Sequence, residues 1–170
     1  MFDSAKHAFY KMARSYPLQK IEIYHYIDWA KRLFKKKNIT LDEKIIANVV
    51  ERCDYQPMYI QQFLFDLWRS DIINLAVVED IEKSINSSLK NQFIVLWNLL
   101  TQNQKKALRL VAESGGKGIY TAELLQRVGF NSASVLQRAL SALIEKEILS
   151  KNDTYQFQDA MLRKWIQRFS

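Results

Sequence analysis

The chain has 170 residues, 48% hydrophobic and 25% charged, with a formal net charge of +7, one cysteine, four glycines and two prolines. That is enough for one ordinary core or two small ones, with the balance of a globular protein and not of a disordered or membrane-spanning one. A lone Cys53 excludes a disulfide framework and a thiolate metal site. With no apolar run long enough to span a bilayer and no secretory leader, the chain reads as cytoplasmic, with no membrane partner. The positive charge is uneven. Up to Lys90 there are 14 Lys and Arg against 12 Asp and Glu, and from Asn91 onward 11 against 6. The C-terminal half therefore carries most of the excess, which suits a polyanionic partner, although surplus lysine also serves solubility.

Scarce glycine and proline predict a mainly α protein. Residues 1–15 have the pattern of a short helix or a partly ordered segment, and Pro17 interrupts them. The stretch from Leu18 to Tyr26 alternates and is rich in β-branched and aromatic residues, so it reads as a strand around Leu18 to Ile23. A single strand cannot bury itself. It either packs as an arm on the helices or pairs outside the chain, self-association included.

Asp28 then precedes a helix with Trp29, Leu33 and Phe34 on one face and a lysine cluster on the other. Thr40 reads as the cap of the next helix, with Glu43 as its capping-box partner and Ile45, Ile46, Val49 and Val50 as its apolar stripe. Cys53 to Gln56 form a turn, and Pro57 sits in the first turn of a helix bearing Tyr59, Ile60, Phe63, Leu64, Leu67 and Trp68. An aromatic stripe of this kind is ordinarily core. A long helix is expected to start at Val78–Asp80, with Asn86, Ser87 and Ser88 either interrupting it or joining two domains.

From Thr101 the local signals define a winged helix. Thr101 caps a helix carrying Ala107, Leu108, Val111 and Ala112, and the Gly115–Gly118 cluster stops it. Ile119 and Tyr120 read as a short extended piece. Thr121 caps a second helix that ends at Gly129, and Asn131 or Ser132 caps a third with Val135, Leu136, Ala139, Leu140 and Leu143 inward. Two short strands, Ile148 to Ser150 and Tyr155 to Gln158, are joined by a polar turn, and a last helix follows. Helix, extended piece, helix, tight turn, helix and hairpin is the winged form of helix-turn-helix.

No catalytic constellation emerges. The Gly115–Gly118 cluster follows a helix and lacks the Lys-Ser/Thr ending of a phosphate loop. His7 and His25 are isolated from each other and from Cys53, so neither a metal site nor a nucleophile–base pair is indicated. Asp42 and Glu43 are accounted for by the helix dipole. Duplex DNA is the serious candidate partner. The outward residues of the third helix would be Ser132, Ser134, Gln137, Arg138 and Ser141, types that make base-edge and phosphate contacts. Lys151, Asn152 and Tyr155 would come from the wing, and Lys105 and Lys106 would reach flanking phosphates. The helix face holds a single arginine, and Glu145 lies at its far end. Winged helices also dock proteins, so that reading stays open.

Three motifs carry a wider likeness: Pro57, Tyr59 and Gln61; Leu100 to Lys105; and Phe157, Asp159 and Trp165. With the helical runs around them they resemble the C-terminal part of AAA+-type P-loop ATPases. The nearest are the archaeal-type ATPases of archaea and bacteria, related to signalling NTPases and origin-recognition initiators. The likeness covers nearly the full chain. It implies a remnant of the ATPase core at 1–25, a helical lid at 26–90 and a winged-helix domain at 91–170. The strand near Leu18 would then have lost its sheet, and the missing core would be a natural partner. ATP and Mg would belong to the parent ATPase, with no cofactor in this chain. Pro57, Tyr59 and Gln61 would approach the nucleotide from the lid side. Gln56 stands where the family often has Gly, and Gln61 and Gln62 supply no charged sensor.

Overall fold

A computed structural model describes residues 20–169. Its first helix, α1 (Ile23–Lys35), occupies part of the segment whose alternation suggested a strand. The reason is spacing: Tyr26, Ala30 and Phe34, four residues apart, are the buried positions, and together they form a helical stripe. Ile23 to Tyr26 therefore offer no strand edge for pairing, and Leu18 and Gln19 lie outside the described residues. Asp28 is inside α1, not ahead of it, and Trp29 is 37% exposed, off the inner face.

In α2 (Glu43–Arg52) the cap is Asp42, not Thr40. The Asp42 carboxylate accepts from the Lys44 amide at 2.9 Å. The turn after α2 places Asp54 and Tyr55 at positive φ, and Pro57 opens α3 (Pro57–Arg69). Tyr59, Ile60, Phe63, Leu64 and Leu67 are all buried, as an aromatic core stripe should be. Burying a side chain of the Leu or Phe class stabilises by about 1.5–3 kcal/mol, so this face is the main anchor of the N-terminal helices.

Helix α4 (Leu75–Asn98) starts at the Asn74 cap, three residues earlier than expected. It runs unbroken through Asn86, Ser87 and Ser88, which are helical. Ser88 returns its hydroxyl to the Ile85 carbonyl and Asn86 its amide to the Glu82 carbonyl, so the polar residues are accommodated within the helix. The boundary expected at residues 90/91 thus falls inside one 24-residue helix.

The remainder is the winged helix: α5 (Gln102–Ser114), α6 (Ala122–Val128), α7 (Ala133–Glu145), β1 (Leu149–Lys151), β2 (Tyr155–Phe157) and α8 (Ala160–Phe169). Thr101 and Gln104 form a reciprocal capping box at the start of α5, and Gly115 ends it in the left-handed conformation. Ile119 and Tyr120 form a turn, so the sheet has two antiparallel strands among the described residues, with Leu149 opposite Phe157 and Lys151 opposite Tyr155. α5 packs between α7 and α8, and α8 reaches back to α4.

Candidate nucleic-acid interface

Gly129 is the pivot of the helix-turn-helix. At φ +72° it adopts a left-handed backbone, and the next residue, Phe130, is buried, with its amide donating to the Leu125 carbonyl at 2.8 Å. This fixes where α7 begins. Ser132 is the N-cap residue, yet its hydroxyl pairs with that of Ser134 at 2.9 Å and caps no amide. Leu136, Ala139, Leu140 and Leu143 turn inward, which leaves Ser132, Ser134, Gln137, Arg138 and Ser141 exposed. The last four share a shallow depression that Glu145 closes at one end. Arg138 also borders a second depression, toward Thr101 and Asn103 at the start of α5.

The wing is held by a backbone contact that reaches across from the end of α5. Gly116 accepts from the Tyr155 amide at 3.4 Å, and a Cβ at Gly116 would lie 1.9 Å from the Tyr155 carbonyl oxygen. The glycine cluster therefore seats the hairpin as well as stopping a helix. Tyr155 is 7% exposed, and its hydroxyl pairs with that of Tyr120 at 2.9 Å. Burial and this hydrogen bond push the Tyr120 phenol up to about 12. Tyr155 thus faces the interior, where the sequence had placed it outward on the wing. Lys151 and Asn152 are exposed at the tip.

The two α5 lysines are half-buried and rest on aromatic rings. Lys105 lies 5.8 Å from the Trp97 centroid, and Lys106 lies 6.0 Å from that of Phe130 while donating to the Gly129 carbonyl at 2.9 Å. Lys106 is a brace for the turn before α7. Lys117, which the sequence did not single out as a contact residue, is exposed in the cleft between the glycine cluster and the wing, together with Lys151. Its only sequence signal was its place inside the glycine cluster.

Pro57, Tyr59 and Gln61 do not converge on one cavity. Pro57 and Gln61 are exposed, and the buried Tyr59 gives its hydroxyl to Asp159 at 2.9 Å. Burial and the neighbouring carboxylate push the Tyr59 phenol well above its ordinary value. Beside Pro57 a cleft opens onto the hairpin, with Lys20 as its cation. Among the described residues no group of three or more His, Cys, Asp or Glu is arranged to hold a metal ion. Burial pushes the Cys53 thiol up to about 12, despite the opposing pull of Lys164, which leaves it unreactive. No described helix is long and apolar enough to cross a membrane.

Residues 91–168 match the family described as a probable winged helix domain. No match was found among curated proteins or among solved structures.

Proposed function

We propose that the winged helix binds duplex DNA, with α7 in the major groove and the wing on the adjacent backbone. The observation that carries this reading is the exposed polar face of α7, where Gln137 and Arg138 stand between serine hydroxyls, with Lys117 and Lys151 paired beside the wing. Gln and Arg are bidentate partners of adenine and guanine edges, and lysines hold phosphate without reading sequence. Titrating nitrogen-labelled protein with a duplex should first move the backbone amides of residues 132–141 and 151–153. Movement confined to other helices would overturn the proposal.

On the same reading the chain is the non-catalytic lid and winged-helix region of a cytoplasmic AAA+-type ATPase. ATP and magnesium belong to that ATPase's core, and no catalytic step is assigned to this chain. Its support is the likeness carried by Pro57, Tyr59, Leu100 to Lys105, Phe157, Asp159 and Trp165. The coding sequence immediately upstream of Met1 tests it: a phosphate-binding loop in frame is expected, and its absence contradicts the parentage.

A second reading, a docking module that relays nucleotide state to a partner, is favoured by one observation. Arg138 is the sole cation of α7, whose outer face also carries Glu145. Capture of a separately expressed ATPase core by this chain, with no duplex binding, would select it.

A further inference from the structure

Among the described helices α6 alone has no buried residue, and Leu124, Leu125 and Val128 reach only half-burial. Apolar packing therefore supplies little of what seats it. Glycines in left-handed backbone stand on both sides, Gly118 before it and Gly129 after. The buried Ile119 holds the approach to α6. Its far end is held by the buried Phe130 and by two polar ties, both from α5.

The ties lie two turns apart on one face of α5. Lys106 donates to the Gly129 carbonyl at 2.9 Å, and Glu113 accepts from Arg127 at 2.9 Å. The second pair is exposed on both sides and holds weakly. Lys106 is the stronger tie. Its ammonium lies at the C-terminal end of α6, where the last carbonyls favour a cation, and over the Phe130 ring at 6.0 Å. A Cβ at Gly129 would come within 3.1 Å of the Lys106 Nζ, so the bare glycine leaves room for this contact.

The same contact governs the start of α7. Burial anchors α7 from Leu136 onward, and the anchor before it is Phe130. Residues 131–135 lie between, with Ser132 and Ser134 among them and no side-chain cap on an α7 amide. Their placement follows from the Gly129–Phe130 peptide that Lys106 holds. A recognition helix reads base edges with its N-terminal residues, so this turn is where a small displacement is felt most.

We propose that Lys106 is a positioning residue for base reading. From α5 it fixes the α6–α7 turn, and so where Ser134, Gln137 and Arg138 meet the base edges, without itself touching DNA. This rests on the duplex-binding reading above. It replaces the role that charge alone suggests for Lys106, a phosphate contact.

The test uses the intact chain. Lys106→Met keeps the aliphatic stem and removes the donor, whereas Lys106→Arg keeps a donor and the charge. In the free protein Lys106→Met should speed hydrogen exchange at the Phe130 amide about tenfold. It should cut the preference for a selected over a scrambled duplex about fivefold, with the salt slope of binding at the wild-type value. Lys106→Arg should recover most of both losses. Gly129→Ala, which crowds the same ammonium, should lose discrimination as well. A slope lower by about one in Lys106→Met makes the lysine a phosphate contact and overturns the proposal. Equal weakening of both duplexes overturns it too, as does unaltered discrimination in Lys106→Met and Gly129→Ala. In those cases the wild type still binds, and the DNA reading stands. A wild type that binds no duplex overturns that reading and this proposal together.

Discussion

The Tyr59 hydroxyl, in the first turn of α3, donates to one oxygen of Asp159 at 2.9 Å, and the other oxygen of that carboxylate accepts from the amides of Met161 and Leu162. One carboxylate therefore caps α8 and ties it to the N-terminal helices. Gln56 doubles the tie: its amide nitrogen donates to the Gln158 carbonyl, and its oxygen accepts from the Ala160 amide. Arg163 adds a longer ion pair with Asp54 at 3.9 Å. Two residues a hundred positions apart, which belonged to separate motifs in the sequence, form one joint.

Tyr59→Phe removes one hydrogen bond to a charged acceptor and leaves the cap intact. It should lower unfolding stability by roughly 1.5–3 kcal/mol. Asp159→Ala should cost more, because it also removes the α8 cap and strands the buried Tyr59 hydroxyl. Urea denaturation of both variants measures the difference. Equal effects would show that the cap adds nothing beyond the bond from Tyr59.

A second joint lies one layer deeper. Glu82 on α4 is 5% exposed and takes hydrogen bonds from Arg52 on α2, at 2.5 Å, and from Lys164 on α8. Burial would raise its carboxyl, but the bonds and charges of Lys164 and Arg52 outweigh that and hold it below the ordinary range. The stability it contributes is complete above the unfolded carboxylate value of about 4.3 and is lost as pH falls through the lower folded value. Glu82→Gln should destabilise the protein at pH 7 by about 3 kcal/mol, since it leaves the partly buried Lys164 without its carboxylate and Arg52 with only the longer Glu79 pair at 3.6 Å. Its stability should also fall less steeply than that of the wild type between about pH 5 and 3. Urea midpoints across that range test both statements.

Gly116→Ala should lower stability by about 2 kcal/mol or more, because the new Cβ meets backbone that cannot step aside. Gly115→Ala is the control. It shares the positive φ but has nothing within 4 Å of its Cβ, so about 1 kcal/mol of backbone strain is expected. Hydrogen exchange at the Tyr155 amide should quicken in the first variant alone.

These joints explain which features were legible in the sequence. The winged helix was, because its signals are local: Thr101 with Gln104 at one helix start, Gly115 at its end, and Gly129 at the turn. α1 was not, because Ile21 and Ile23 mimic strand alternation while Tyr26, Ala30 and Phe34 set the actual period. At the start of α2 the sequence pointed to Thr40 as the cap, and only the backbone shows that Asp42 takes that place. The inward turn of Tyr155 and the burial of Glu82 depend on partners 35, 30 and 82 residues away, beyond any local pattern. The α7 face was read correctly as exposed because helical periodicity alone separates it from Leu136, Ala139, Leu140 and Leu143.

Within that face the roles should separate. Gln137→Ala and Arg138→Ala should narrow the gap between preferred and random duplexes by about 1–3 kcal/mol each. Lys117→Ala and Lys151→Ala should weaken all duplexes alike. Competition titrations with a selected and a scrambled duplex distinguish the two classes.

The most direct test of DNA binding is a salt titration of a labelled duplex with the intact chain. With Arg138, Lys117 and Lys151 as the main phosphate and base contacts, the logarithm of the binding constant should fall with the logarithm of salt at a slope of roughly −2 to −4. The Lys117→Ala/Lys151→Ala double variant should flatten that slope by about two. Absence of binding at about 50 mM salt, where phosphate contacts are strongest, would contradict the account.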